Sequence, residues 1–215
     1  MLYLDLSNNK FTELCNFTLP KLEYLDISHN KLEKVNEAWA GHPSLKLLNV
    51  AENKFKSLAP FKNCPKLQEL YAQNNVITQL SGYEGLPALR VLNLRHNKIE
   101  AIGDELPELP ALEVLNLRTN KIPDLENIFK LLTQFSTIKN LNVLNCPVEL
   151  GFSSMNILVS EILKVKPDIQ RFCKVDITDA LRLENVFLAK YKWNKSEEER
   201  IAKEKAEAEA AAKAE

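Results

Sequence analysis

Apolar residues along this chain recur neither every 3.6 residues nor in plain alternation; they fall into the frame L-x-x-L-x-L-x-x-N. It reads Leu22, Leu25, Ile27, Asn30; then Leu45, Leu48, Val50, Asn53; then Leu89, Leu92, Leu94, Asn97; then Leu112, Leu115, Leu117, Asn120. Asparagines at 9, 30, 53, 75, 97 and 120 follow one another at intervals of 21, 23, 22, 22 and 23 residues, and a period in the twenties marks a solenoid. Each L-x-L core predicts a short strand whose leucines point inward while the residue between them points out. The asparagine predicts a turn, its amide bonding backbone groups that the turn would leave unpaired. A second apolar pair closes the convex wall: Leu32 and Val35, Phe55 and Leu58, Ile77 and Leu80, Ile99 and Ile102, Ile122 and Leu125. Prolines 20, 43, 65, 87 and 110 stand two residues before the first leucine of their frames, where they stop a convex turn from running into the next strand.

The last frame is worn: Ile138, Leu141 and Val143 lead to Cys146 in the asparagine place, after an interval of 26 residues long enough for "LENIFKLLTQFST" to form a convex helix. "NILVSEILKVKPDIQRFC" then predicts a helix and a strand-like turn. The organisation expected is a solenoid of about seven repeats over 1–148, a C-terminal cap over 149–177 and a helical charged tail over 178–215. The fold class is therefore α/β: a curved parallel sheet on the concave face of a solenoid, with a helical cap and an extended C-terminal helix.

In the tail, Leu183, Val186, Phe187 and Tyr191 make a helical stripe with Asp179 as its N-cap. The stripe either docks back on the solenoid or offers Leu183, Phe187, Tyr191 and Trp193 to a partner helix. Ser196 with Glu199 forms a capping box opening a helix of glutamate, lysine and alanine, polar on every side, which reads as a strut, a bridge between proteins or a marginally ordered segment.

Packing fixes the frame, so information for partners must lie in the outward positions. "LPALRVLNLRHNKI" and "LPALEVLNLRTNKI" differ only at Arg90/Glu113 and His96/Thr119, which this reading leaves free to suit whatever lies against them. The concave candidates are Tyr24, Asp26, Tyr71, Asn93, Arg95, His96, Asn116 and Arg118. The positions following the strands, Ser7, Ser28, Ala51, Gln73, Arg95 and Arg118, are expected to project outward too. Adjacent strands lie about 4.8 Å apart, which sets Arg95 beside Arg118, a pair suited to a carboxylate or phosphate.

Charge and composition add mainly exclusions. With 45% apolar residues, 27% charged residues and a formal net charge of −1, this is a folding chain without a global field to recruit nucleic acid or an anionic membrane. The N-terminus carries no secretory pattern and no window has the length of a membrane span, so the expected address is cytoplasmic. Cysteines at 15, 64, 146 and 173 form no CxxC pair and are expected to be reduced and structural. No catalytic, cofactor or metal site is expected: Asp5 and Asp26 are neighbours on an open sheet, and His29 and His96 lie three repeats apart, about 14 Å by strand spacing. No polar cap precedes the first strand, so either the chain begins upstream of Met1 or a partner covers that edge.

The frame is similar to the phosphatase-regulator-like, 22-residue subclass of leucine-rich repeats, in which cysteine also serves at the ladder position. The order "EVLNLRTNKIPDLENIFKLLTQFSTIKNLNVLNCPVEL", cap and charged helix beginning "EEER" resembles the leucine-rich repeat-containing protein 23 family, radial spoke subunits of motile cilia. The cap's usual tyrosine and aspartate read Leu158 and Cys173 here, and that family's N-terminal extension is absent from this sequence. The resemblance implies a non-enzymatic axonemal scaffold bound to radial spoke proteins, with no cofactor, no small-molecule substrate, no direct nucleic acid and no membrane. Other relatives of the solenoid are regulatory or adaptor subunits of a protein phosphatase, of a spliceosomal ribonucleoprotein and of an axonemal dynein.

Overall fold

The computed structural model describes residues 1–186 apart from 15–18, 37–38, 83 and 104–105, together with residues 200 and 203. Residues Met1–Asp176 form one compact unit and Ile177–Glu215 a second. The first unit is built on three-residue strands: β1 (Tyr3–Asp5), β3 (Tyr24–Asp26), β5 (Leu47–Asn49), β6 (Glu69–Tyr71), β7 (Val91–Asn93), β8 (Val114–Asn116) and β9 (Asn140–Asn142). They stack in chain order and in parallel, and the sheet ends on the antiparallel hairpin β10 (Arg171–Phe172) and β11 (Val175–Asp176). Two short convex strands, β2 (Glu13–Leu14) and β4 (Lys34–Val35), pair separately. This is the leucine-rich repeat solenoid the frame predicts.

Register is exact in packing terms: Leu25, Leu48, Leu70, Leu92, Leu115 and Leu141 pair strand to strand and are at most 1% exposed. A slip of one residue would turn this row to solvent, so burial pins every strand. The convex wall closes over Phe55 and Phe61, packed edge to face with ring centroids 5.0 Å apart.

Each ladder asparagine binds its coil to the one before. Asn53 Nδ2 donates to the Ile27 carbonyl of the coil before at 3.0 Å, and its Oδ1 accepts from the Leu32 amide at 2.9 Å. Asn75, Asn97 and Asn120 repeat this with Val50, Ala72 and Leu94 as acceptors. Cys146 keeps the donor half of the job, its Sγ reaching the Leu117 carbonyl at 3.3 Å.

Immediately before each ladder residue the backbone turns left-handed: Asn8, His29, Glu52, Asn74, His96, Thr119 and Asn145 all have φ between 52° and 58°. Asparagine tolerates that region; threonine, branched at Cβ, does not. Thr119→Asn is therefore expected to raise stability by about 1 kcal/mol in thermal unfolding, the strain of one such residue being of that order. The same turn swings the chain inward, which corrects the outward placement of Ser28 and Ala51: each is only 4% exposed.

The long interval holds α1 (Leu125–Gln134), started by Asp124, whose carboxylate accepts from the Asn127 amide at 3.0 Å. After α2 (Pro147–Leu150), the cap helix α3 (Met155–Val165) buries Leu158, Val159, Ile162 and Leu163 and is capped by Ser154. Lys166, only 8% exposed, locks this cap on the last repeat by donating to the Ser136 carbonyl at 2.6 Å while pairing with Asp168.

In the second unit residues 179–186 are helical. Its N-cap is Thr178, not Asp179: the Thr178 hydroxyl accepts from the Leu181 amide at 3.2 Å. Leu183 is 69% exposed on this helix. Phe187, Tyr191, Trp193 and the Ser196–Glu199 capping box lie outside the described residues.

Candidate functional site

The concave face is three columns of side chains running across the strands. The first holds Tyr3, Tyr24, Leu47, Glu69, Val91, Val114, Asn140 and Arg171 in register. The second holds Asp5, Asp26, Asn49, Tyr71, Asn93, Asn116 and Asn142. The third, one turn onward, includes Gln73, Arg95 and Arg118, linked through the amides of Asn74, His96 and Thr119 to carbonyls of the following coil.

Most of the second column performs a task the frame alone does not reveal. Each acidic or amide side chain there accepts from the backbone amide two residues on: Asp5 from Ser7, Asp26 from Ser28, Asn49 from Ala51, Asn93 from Arg95, Asn116 from Arg118 and Asn142 from Leu144, at 2.8 to 3.2 Å. These are Asx turns closing the strand ends. The signal was in the sequence, as Asp or Asn at the third strand position of six coils.

Asp26 is consequently committed within the sheet. Its Oδ1 also accepts from the Ser28 hydroxyl at 2.6 Å and its Oδ2 from Asn49 Nδ2 at 2.8 Å. The hydroxyl and amide of Ser7 hold the Asp5 carboxyl below its ordinary value. Tyr71 gives its hydroxyl to Glu69 at 2.6 Å, and this bond, with burial and the carboxylate's charge, pushes the phenol up to about 12. Tyr24, at 40% exposure, is open to solvent.

Arg95 and Arg118 differ from all of these. Both are half-buried, their Nε atoms are buried without a hydrogen-bond partner, and neither guanidinium has an ion pair among the described residues. Asn93, Asn116 and Asn142 spend their oxygens in the Asx turns, while their NH2 groups donate to nothing among the described residues. His96 lies in the exposed left-handed turn beside this row.

The variable pair Arg90 and Glu113 is not free, which corrects the expectation that it awaits a partner. Arg90 Nη2 meets Glu113 Oε2 at 2.7 Å and Lys139 meets Oε1 at 2.7 Å, so the charge change joins three successive coils. Glu23 with Lys46, Glu33 with Lys54 and Glu100 with Lys121 are further pairs between neighbouring coils.

These groups set an acid response. Hydrogen bonds from Lys139 and Arg90 hold the Glu113 carboxyl down at about 2. Its contribution is full above 4.5, the ordinary value, and is lost as pH falls towards 2. His42 is 3% exposed and its Nε2 lies 3.1 Å from the Leu19 carbonyl. Burial lowers its pKa from 6.5, so its contribution is full above that pH and declines below it. The melting temperature is expected to start falling as pH drops below 6.5 and to fall further below 4.5. His42→Gln, which keeps a donor for Leu19, should flatten the first decline, and Glu113→Gln should weaken the second.

Among the described residues no group of three or more His, Cys, Asp or Glu could hold a metal ion, and no helix is long and apolar enough to cross a membrane. Cys64, Cys146 and Cys173 are buried free thiols, burial pushing Cys173 up to about 12. Cys15 lies outside the described residues.

Residues 1–55 match the family described as Leucine rich repeat, and residues 43–85 and 87–130 match Leucine Rich repeats (2 copies). Human geranylgeranyl transferase type-2 subunit alpha is 36% identical over 77 residues, 35% of this chain and 14% of that protein. Mouse platelet glycoprotein Ib alpha chain is 43% identical over 75 residues, 34% of this chain and 10% of that protein. The shared stretch is thus a small part of each relative. Among solved structures, the TLR13–ssRNA13 complex matches 86% of this chain and 30% of that one with a TM-score of 0.62 at 20% identity, a likeness of fold. YopM from Yersinia enterocolitica matches 68% of this chain and 29% of that one with a TM-score of 0.52 at 28% identity.

Proposed function

The chain belongs to the leucine-rich repeat proteins, and we propose that it is a non-catalytic scaffold that binds protein partners on its concave face as one subunit of a larger assembly. One observation carries this reading: Arg95 and Arg118 stand on successive coils of that face, half-buried, and neither guanidinium has an ion pair among the described residues. Two charged forks without counter-ions are ready donors, and a docked partner supplies the acceptors. Tyr24 and Tyr71, with Asn93 and Asn116, extend the same face, and aromatic and arginine side chains are enriched where proteins meet.

The assembly we propose is the radial spoke of motile cilia, with the charged tail as a second attachment. The order of worn last repeat, cap and a charged segment opening "EEER" supports it. The glutamate, lysine and alanine composition of that segment predicts a helix polar on every side, and such a helix bridges proteins more readily than it packs on its own core.

The test is a C-terminally tagged protein expressed in ciliated cells, with detergent extraction followed by crosslinking. Retention in the axoneme with spoke proteins as neighbours is the expected result. A pool that is fully extracted, or that crosslinks to a phosphatase or to splicing proteins, overturns the spoke assignment and leaves the scaffold. Arg95→Glu combined with Arg118→Glu should abolish partner capture without changing the melt; undiminished capture would remove the concave face from the reading.

A further inference from the structure

Towards its C-terminal end the concave face becomes a surface of hydrogen-bond donors. Asn93, Asn116 and Asn142 stand on three neighbouring strands, one strand spacing apart, with their oxygens turned into the sheet and their NH2 groups unused by any described residue. Arg95 and Arg118 run beside them without counter-ions among the described residues. The strands then meet the β10–β11 hairpin at a notch of about 300 Å³, whose lining includes Arg118, Asn140, Arg171 and Lys174 and, among the described residues, no acidic side chain. Arg171 is paired with Asp176 at 3.3 Å on the outer edge, whereas Lys174 is exposed and has no ion pair among the described residues.

The opposite end of the same face has the opposite chemistry. Asp5, Asp26 and Glu23 sit there, and Glu69 stands between the two halves, bonded to Tyr71. With a formal net charge of −1 over the whole chain, the cationic character is local to these last coils. Resting on the reading of the concave face as a protein-docking surface, we infer that β7 to β11 seats a segment of the partner protein bearing several carboxylates, with Arg95, Arg118 and Lys174 as its counter-ions and the three asparagine amides donating to its remaining oxygens.

A nucleic acid would present oxyanions too, and two features weigh against it. Base recognition on an open sheet relies on aromatic platforms, yet the exposed rings Tyr3 and Tyr24 stand at the acidic end and the Tyr71 hydroxyl is tied to Glu69. Beside the donors the first column offers Val91 and Val114, half-buried aliphatic surface suited to the apolar side chains of a peptide.

The experiment uses the full chain and a fluorescein-labelled peptide of alternating Glu and Ala, with its Gln-for-Glu analogue and an oligouridylate as competing probes, followed by anisotropy. Saturable binding of the Glu peptide is expected, weakened by salt and reduced at least about tenfold by Arg95→Glu with Arg118→Glu, while the Gln analogue fails to bind. Circular dichroism melts confirm that the double variant is folded; if it is not, the pair Arg95→Gln and Arg118→Gln takes its place. Absence of binding, equal binding by the charge-altered variant, or preference for oligouridylate overturns the inference. A second arm places a photo-crosslinking residue at Asn116 in the native assembly. Protein crosslinks from Asn116 together with a negative peptide result sink the acidic occupant alone, and no protein crosslinks there sink the docking reading with it.

Discussion

Asn97→Ala is expected to destabilise the protein by about 3–5 kcal/mol, the sum of several buried polar groups left unpaired at about 1–3 kcal/mol each. The Asn97 Oδ1 accepts from the Ile77 amide at 3.0 Å, and its Nδ2 donates to the Ala72 and Leu94 carbonyls at 3.0 and 2.9 Å. At 8% exposure the residue gives water little chance to replace those bonds. Urea unfolding is the measurement, with two comparisons that make it diagnostic. Asn97→Cys should fall between Asn97→Ala and the unchanged chain, since Cys146 shows that a thiol at this position still reaches the preceding carbonyl. Asn9→Ala should cost far less, because Asn9 is exposed and, among the described residues, its amide donates only to Leu6 and Ser7 of its own coil. Equal losses at 9 and 97 would mean that the ladder's value lies within a coil and not between coils.

The ladder and the inward leucines were legible in the sequence because both are dictated by translation along one axis, which leaves a period behind. The α1 helix was legible for a related reason: 26 residues between ladder positions leave room that the shorter coils lack. What the period hides is pairing between coils. Arg90 and Glu113 look like a variable pair in two copies of one motif, yet they are a single bridge, visible only once the register places them face to face. The Asx turns were hidden differently. In the sequence Asn93 and Asn116 look wholly outward, yet their oxygens close the turns at Arg95 and Arg118, and only their amide donors are left without a partner among the described residues. Arg95 and Arg118 were legible as a pair, but the burial of their Nε atoms comes from packing in the turn and has no signature in residue type. Ser28 and Ala51 show the same limit from the other side, since a strand's alternation stops applying where the backbone enters the left-handed region at His29 and Glu52.

Leu94→Asp is expected to abolish the cooperative melt of the whole Met1–Asp176 unit at neutral pH. Leu94 is 0% exposed, between the ladder residues of its own coil and the next, both of which bond its carbonyl. Truncating such a leucine to alanine costs about 2–5 kcal/mol, and placing an unpaired carboxylate there adds the cost of desolvating a charge. Because each coil is stable only through its neighbours, losing this central one exposes the faces of the coils on both sides, and the damage spreads along the array. The pH dependence separates this mechanism from simple loss of volume. A carboxyl at position 94 is forced to a raised pKa in the folded state, so the deficit shrinks as the pH falls towards and below the ordinary carboxylate range. The unsubstituted chain behaves the opposite way, losing stability in acid as the Glu113 bridge and His42 are protonated. Circular dichroism melts across that range should therefore bring the two curves together, while Leu94→Asn, equal in size and uncharged, stays a constant distance below the unsubstituted chain. A Leu94→Asp deficit that does not change with pH would place the new carboxyl in solvent, and with it the inward assignment of the second strand leucine would fail.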